Sequence, residues 1–266
     1  MIRDITLGQY YPGKSPIHDL DPRFKILATL VYLIALFIVN SFVGFAFAAL
    51  FLLIVIIISK VPLSYILRGL KVVFLILIFT FVLNLFMYDG NVLVHIWKLT
   101  ITDKGLYRAT FMAFRLILLI IASSMLTFTT TPIRLTNGLE ALMKPLKVIG
   151  VPTHEIAMMM SIALRFIPTL LEETDKIMKA QQARGADFET GNILHRAKQM
   201  VPILVPLFIS AFRRADELAV AMECRCYQGG EGRTKLKQLH YTRLDFIAYA
   251  AGGVLVVGVL ILSRIG

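Results

Sequence analysis

The chain has 266 residues, 57% of them hydrophobic, and its mean hydropathy is +0.74. This composition excludes an ordinary soluble domain and predicts a membrane protein with several spans. The net charge of +11 does not indicate a nucleic-acid-binding protein. The basic residues between positions 131 and 243 interleave with acidic ones, as they do in cytoplasmic segments beside membrane spans.

The first 25 residues mix charges of both signs and lack the apolar core and cleavage site of a signal peptide. Apolar residues then run almost unbroken from Ile26 to Ile58. One helix of that length would measure roughly 50 Å, against about 30 Å for the hydrocarbon core of a bilayer. Asn40, Ser41 and Gly44 offer a break, so we predict two short spans, over 26–42 and 44–59.

Three further spans are predicted over 70–88, 106–128 and 244–263. The expected fold class is therefore an all-α polytopic membrane protein with about five transmembrane helices and a coupling domain of about three helices. We divide the chain into a membrane part over 1–130, a cytoplasmic part over 131–243 and a last transmembrane helix over 244–266.

The distribution of lysine and arginine sets the predicted orientation. Basic residues are frequent before residue 26, in the 60–71 loop and in the 131–243 segment, and the turn near residue 42 has none. Because cytoplasmic loops are enriched in Lys and Arg, we expect the N-terminus and the 131–243 segment in the cytoplasm and the C-terminus outside.

Helix signals divide the polar segment into three parts. Thr131 followed by Pro132 predicts a helix start, and the short helix that follows should end near Lys147. A second helix is predicted from Thr153 to about Ala183, before Gly185, and a third from about 192 to 227. Each long helix would be roughly 45 Å long if straight. We expect them to be too polar to span a bilayer and to cross each other.

Charged residues on the two long helices suggest how the helices pack. Glu172 and Glu173 on the first lie 41 positions before Arg213 and Arg214 on the second, and 41 also separates Arg184 from Arg225. If the helices cross at this height, these groups would form inter-helix salt bridges. The alternative is two solvated faces without mutual contact, since exposed pairs contribute only about 0–1 kcal/mol.

Both long helices end in an arginine between small residues, and these two triplets are the main candidate site. Either arginine alone is explained by the helix dipole, which favours a cation in the last turn. The rigid guanidinium fork also suits insertion into a partner's groove. Cys224 and Cys226 are the only cysteines, and their spacing in a helix precludes an unstrained disulfide. The triplets are Ala183-Arg184-Gly185 and Cys224-Arg225-Cys226.

These triplets resemble the two X-Arg-X signatures of the transmembrane T component of energy-coupling factor (ECF) transporters. The opening segment from Tyr11 to Lys25, with the sequence YPGKSPIHDLDPRFK, is also similar to the N-terminus of that family. The resemblance extends over essentially the whole chain. The second triplet departs from the family pattern in having cysteines where Ala and Gly are commoner, which keeps the small size but permits a differently shaped helix end.

The resemblance implies a multi-pass protein of the bacterial plasma membrane that does not catalyse a reaction. Two separate ECF ATPase subunits would receive Arg184 and Arg225 and would bind ATP and Mg²⁺ themselves, so this chain would need no cofactor. Interchangeable substrate-binding S components would dock on the long helices, with contacts from Met158, Met159 and Met160, for uptake of vitamins or other micronutrients. Flexible methionine suits a surface with several partners, although ordinary core packing explains the run equally well.

Other functions remain open from the residues alone. The chain lacks the Gly-x-x-x-x-Gly-Lys-Ser/Thr loop that binds nucleotides, and its five histidines show no metal-ligand spacing. Arg115 is the one strong charge inside a predicted span: it has a direct transport role, or it snorkels to the interface, or it pairs with a backbone carbonyl. A cobalt- or nickel-specific T component, a lipid-modifying membrane enzyme and a secondary transporter are the alternatives.

Overall fold

The computed structural model describes residues 10–87, 92–96, 99–186, 188, 193–230 and 239–265. Contacts between Cα atoms group the chain into two units. The first unit covers residues 8–142 and 238–266, and the second includes residues 143–237.

The first unit consists of seven helices and one hairpin within the described residues. The helices are α1 (Pro16–Asp19), α2 (Pro22–Ile38), α3 (Phe42–Ser59), α4 (Leu63–Met87), α5 (Asp103–Thr129), α6 (Pro132–Met143) and α9 (Arg243–Ile265). Strands β1 (Val92–Ile96) and β2 (Leu99–Thr102) form an antiparallel pair between α4 and α5. This hairpin was not predicted, but the all-α membrane class is confirmed, because helices form the rest of the unit's regular structure.

The second unit holds the two long helices. A 3-10 segment (Lys144–Ile149) ends at Gly150, whose φ is 85°, and leads to α7 (Thr153–Ala183) and α8 (Ile193–Glu223). The predicted bounds of α7 are correct, and α8 ends four residues before the predicted end. Pro168 lies inside α7 and Pro202 and Pro206 lie inside α8 without ending either helix.

Within the part of the chain that the structure describes, four helices could cross a membrane by length and hydropathy: α3, α5, α7 and α9. A fifth crossing is added if α4 counts as one span, since it bends by 60° between Leu63–Lys71 and Val73–Met87. The composition of α7 does not exclude spanning, because an 18-residue window within it has a mean hydropathy of 1.3. Our expectation that α7 is too polar to span is therefore wrong at the level of composition.

The helix α2 covers most of the first predicted span and is short for a membrane helix. Its 17 residues correspond to about 25 Å, less than the roughly 30 Å of a hydrocarbon core. The break falls where the sequence predicted it. Ser41 caps α3 by accepting a hydrogen bond from the Gly44 N–H at 3.2 Å.

The core of the first unit lies between α2, α3, α5 and α9. Leu36, Phe128 and Val259 are almost completely buried in it. The helix α6 joins this unit because Gly138 allows close approach to α2. A Cβ on Gly138 would lie 3.0 Å from the Cβ of Pro22.

Candidate functional site

The C-terminus of α7 is closed by a two-bond turn that places Arg184 at its last position. The Ala186 N–H donates to the Gln181 carbonyl at 3.0 Å, and the Gly185 N–H donates to the Gln182 carbonyl at 2.9 Å. Gly185 has a φ of 90°, the left-handed conformation that this motif requires and that glycine adopts at little cost. Arg184 is the C-cap residue.

The C-terminus of α8 ends in the same way. The Tyr227 N–H donates to the Met222 carbonyl at 3.1 Å, and the Cys226 N–H donates to the Glu223 carbonyl at 2.8 Å. Cys226 takes the position of Gly185, with a φ of 54°. The cysteines therefore leave the shape of this helix end unchanged, and Arg225 occupies the position equivalent to Arg184.

Both arginine side chains are exposed, as are their flanking residues Ala183, Gly185, Cys224 and Cys226. Within the described part of the chain, no hydrogen bond or ion pair engages either guanidinium group. Each helix therefore presents a free, rigid cation at its tip, which suits bidentate binding to a partner's carboxylate or carbonyl groups.

The two long helices run antiparallel. A Cβ on Gly230, just after α8, would collide with the ring of His154 at the start of α7. Phe166 and Leu218 line one apolar cavity of about 510 Å³ between the helices. Further along, Glu173 contacts Arg214. Residue numbers thus rise along α7 as they fall along α8, and the two terminal arginines lie at opposite ends of the pair, roughly 35 Å apart.

Of the suggested inter-helix salt bridges, one is present. Arg214 Nη2 donates to Glu173 Oε2 at 2.9 Å, and the two side chains are 33% and 24% exposed. Glu172 and Arg213 are exposed, and no ion pair joins these two described residues. Along an antiparallel helix pair, the numbers of facing residues rise on one helix and fall on the other, so residues 41 positions apart can face each other at only one point. That point is Glu173 with Arg214, and Glu172 therefore does not pair with Arg213.

The exposed apolar surface of the second unit is larger than the sequence indicated. Met159 is 58% exposed and Met160 is 37% exposed, whereas Met158 is half-buried. The helix α8 adds a stripe of exposed apolar residues spaced three or four positions apart. The sequence did not reveal this stripe because Pro202 and Pro206 interrupt the helical pattern there. The α8 stripe consists of Met200, Val201, Leu204, Val205, Phe208, Ile209 and Phe212.

The segment from Tyr11 to Lys25 forms a buried polar cluster in the first unit. The Ser15 hydroxyl bonds His18 Nδ1 at 2.7 Å, and His18 Nε2 donates to the Tyr11 carbonyl at 3.1 Å. Burial lowers the pKa of His18, so the ring is neutral near pH 7 and can accept the Ser15 proton. The Asp21 N–H donates to Asp245 Oδ1 at 2.8 Å, which ties the start of α2 to α9.

Lys25 joins this cluster to the end of α5. Its ammonium group is buried and donates to the carbonyls of His18 at 3.1 Å and Thr129 at 2.9 Å. Arg134 Nη1 also donates to the His18 carbonyl, at 2.9 Å. The last carbonyl groups of a helix have no partner within the helix, and these two cations donate hydrogen bonds to them. The positive charges also interact favourably with the negative end of the helix dipole. The opening motif thus has a structural role.

Arg115 has a backbone partner in the first unit. Its Nη2 donates to the Val39 carbonyl at 2.8 Å, where α2 ends. The guanidinium also lies 5.3 Å from the ring centroid of Phe111 and 5.7 Å from that of Phe45. These contacts fix the turn between α2 and α3 against α5, and they favour the carbonyl-pairing alternative over a transport role.

No group of three or more His, Cys, Asp or Glu side chains able to hold a metal ion occurs among the described residues. Several apolar helices, together with an exposed pair of arginine-tipped helices, are the features of a multi-pass membrane protein.

Comparison with known proteins identifies the class. The family model described as "Cobalt transport protein" (CbiQ) matches residues 13–236. The chain is 59% identical over 263 residues to the energy-coupling factor transporter transmembrane protein EcfT of Thermosediminibacter oceani, covering 99% of each chain. It is 60% identical over 267 residues to EcfT of Clostridium kluyveri, covering 100% of this chain and 98% of that protein. EcfT of Bacillus subtilis is 48% identical over 246 residues, or 92% of this chain and 93% of that protein.

The chain belongs to the CbiQ family, as an EcfT-type transmembrane component of energy-coupling factor transporters. It is a non-catalytic subunit of a membrane transporter, which rules out the lipid-modifying enzyme as its function.

Proposed function

We propose that this chain transmits ATP-driven movement of two ATPase subunits to a membrane-embedded S component that carries a vitamin or another micronutrient. One observation supports the proposal above the others. Two exposed arginines cap the same helix-ending motif at opposite ends of one antiparallel helix pair. Two copies of one connection, held roughly 35 Å apart, suit a pair of related partner subunits better than a single binding site.

In this arrangement Arg184 and Arg225 each enter a groove of one ATPase subunit. The partners bind ATP and Mg²⁺, and this chain needs no cofactor. Because α7 and α8 are antiparallel neighbours joined by the Glu173–Arg214 pair, closing of the ATPase pair would displace them as one body. The N-terminus and the 131–243 segment lie in the cytoplasm, and the C-terminus lies outside.

The S component would dock on the apolar surface of the long helices. Met159, Met160 and the α8 stripe offer apolar side chains that are at least one-third exposed. Methionine and leucine chains adapt to different partner shapes, so one surface could accept interchangeable S components.

The test is the double variant Arg184→Ala with Arg225→Ala in cells that depend on the imported nutrient. We expect uptake to fall to the background level and the ATPases to be lost on purification, with membrane insertion unchanged. Arg213→Ala, an exposed arginine on the side of α8, is the matched control and should keep uptake near that of the unchanged chain. Full uptake by the double variant would refute the coupling role.

The cargo has a second candidate, because the matching family model is described as a cobalt transport protein. Purification of the native complex distinguishes the two possibilities. Several different small membrane proteins bound to one preparation would support the shared vitamin-type module. A single partner, together with uptake of radioactive cobalt or nickel, would support the metal-specific type.

A further inference from the structure

An apolar slot of about 520 Å³ lies in the first unit between α2, α3, α5 and α9. Phe24, Leu52, Met125 and Gly253 are among its lining residues. Exposed apolar side chains on α2, α3 and α9 also line it, so the slot opens on a surface that the bilayer covers. They are Val31, Ile54 and Ile247.

Two adjacent glycines in α9 leave part of this space empty. Apart from its chain neighbours and the backbone of α9 itself, no atom lies within 4 Å of the place where a Cβ would stand on Gly252 or on Gly253. Gly258 in the same helix differs, because its Cβ would lie 2.6 Å from the ring of Phe47. Glycine is among the poorest helix formers, and close packing accounts for it only at position 258. At positions 252 and 253 the space suits a molecule from outside the chain.

The dimensions of the slot select the kind of molecule. Its lining on α9 extends from Leu244 to Val256, which corresponds to about 18 Å of helix. An apolar slot of this length that opens toward the bilayer suits an extended alkyl chain.

Two exposed basic residues lie close in sequence to the lining at one end of the slot. Pro16 and Leu244 line this end; Arg243 directly precedes Leu244, and Lys14 lies two positions before Pro16. Lys25 also lines the slot, but its ammonium group is held by the carbonyls of His18 and Thr129. Exposed Lys and Arg beside an apolar surface attract the phosphate of anionic lipids.

We propose that this slot binds one acyl chain of an anionic glycerophospholipid, with the headgroup beside Arg243 and Lys14. Gly252 and Gly253 provide the room for the chain, and the basic pair gives the preference for anionic headgroups. The bound lipid would fill the gap between α9 and the α2–α3 pair.

The test is native mass spectrometry of the full chain in mild detergent with added phosphatidylglycerol, phosphatidylcholine or oleic acid. We expect one phosphatidylglycerol per chain, with at least five-fold lower occupancy for phosphatidylcholine. Gly253→Leu should lower phosphatidylglycerol occupancy at least five-fold, and the milder Gly253→Ala should lower it by a smaller factor. Ala250→Leu, at an exposed site on α9 outside the lining, is the matched control and should retain the lipid.

Equal occupancy in Gly253→Leu and Ala250→Leu, with both variants monodisperse, would overturn the acyl slot. Equal retention of the two phospholipids, or no loss of phosphatidylglycerol in Arg243→Gln, would overturn the headgroup site. Oleic acid binding as well as phosphatidylglycerol would show that a free carboxylate suffices and would overturn the phospholipid assignment. A co-purifying protein that excludes all three lipids would overturn the proposal as a whole.

Discussion

Arg184 and Arg225 cap their helices in the same motif, although the residues that follow them differ in how readily they adopt a positive φ. Gly185 has a φ of 90° without steric cost. Cys226 has a φ of 54°, and this conformation is strained because its Cβ lies close to the backbone. The shared motif orients each arginine outward from a helix tip. Any residue that tolerates a positive φ at the position after the arginine would orient the arginine in the same way.

Cys226→Gly should therefore raise the free energy of unfolding by about 0.5–1 kcal/mol, because glycine removes the strain of the left-handed conformation. Cys224→Gly provides the matched control two residues earlier. Cys224 directly follows α8 and still donates its N–H to the Val220 carbonyl at 2.9 Å, as in a helix, where glycine costs up to about 1 kcal/mol relative to a better helix former. Thermal unfolding of the purified chain, followed by circular dichroism, measures both changes. A loss of stability in Cys226→Gly would contradict the assignment of strain.

At the scale of elements, the Glu173–Arg214 ion pair joins α7 and α8, and an apolar cavity lies between them. The pair of Glu173 with Arg214 is half-buried, so we expect a contribution of up to about 1 kcal/mol. Apolar side chains of both helices, Phe166 and Leu218 among them, line the cavity between the helices. The ion pair makes the two long helices one connected element.

Exchange of the two charges tests the ion pair. Glu173→Arg and Arg214→Glu should each lower stability, and the double variant should recover most of the loss, with a coupling energy of about 0.5–1 kcal/mol. The same exchange at Glu172 and Arg213 is the control, since these exposed residues do not pair, and its effects should be additive. Thermal unfolding midpoints of the six variants give both coupling energies. Additive effects at 173 and 214 would disprove the contact.

At the scale of the whole molecule, the orientation in the membrane decides whether the arginines can reach ATPase subunits. Cys224 and Cys226 are the only thiols in the chain, and both are exposed beside Arg225. They therefore report the side of the membrane on which this helix end lies.

A membrane-impermeant maleimide should leave the thiols of intact cells unlabelled and label them in inverted membrane vesicles. The expectation follows from the enrichment of Lys and Arg in cytoplasmic segments. The variant with both cysteines changed to serine is the control for background labelling, and mass analysis of the purified chain quantifies the product. Labelling in intact cells would place α8 outside and would contradict the coupling role.

The sequence predicted those features that depend on local chemistry. Apolar runs and helix caps located the long helices, so Thr153 and Ala183 were correctly given as the bounds of α7. The end of α8 was set four residues too late, because Cys226 was not expected in the left-handed turn that glycine usually forms. The hairpin between α4 and α5 escaped notice because a short apolar run gives no distinct period.

By itself, the sequence determined the membrane class, the helices and the two arginine-tipped ends, since hydropathy and capping act over a few neighbouring residues. The tertiary structure decided what depends on residues far apart in the chain. It showed that α7 and α8 are antiparallel, that Glu173 and not Glu172 finds an arginine, and that Lys25 satisfies the end of α5. It also separated Gly258, which packs against Phe47, from Gly252 and Gly253, which face open space. Identical residue types differ in role there because packing, not local preference, sets their surroundings.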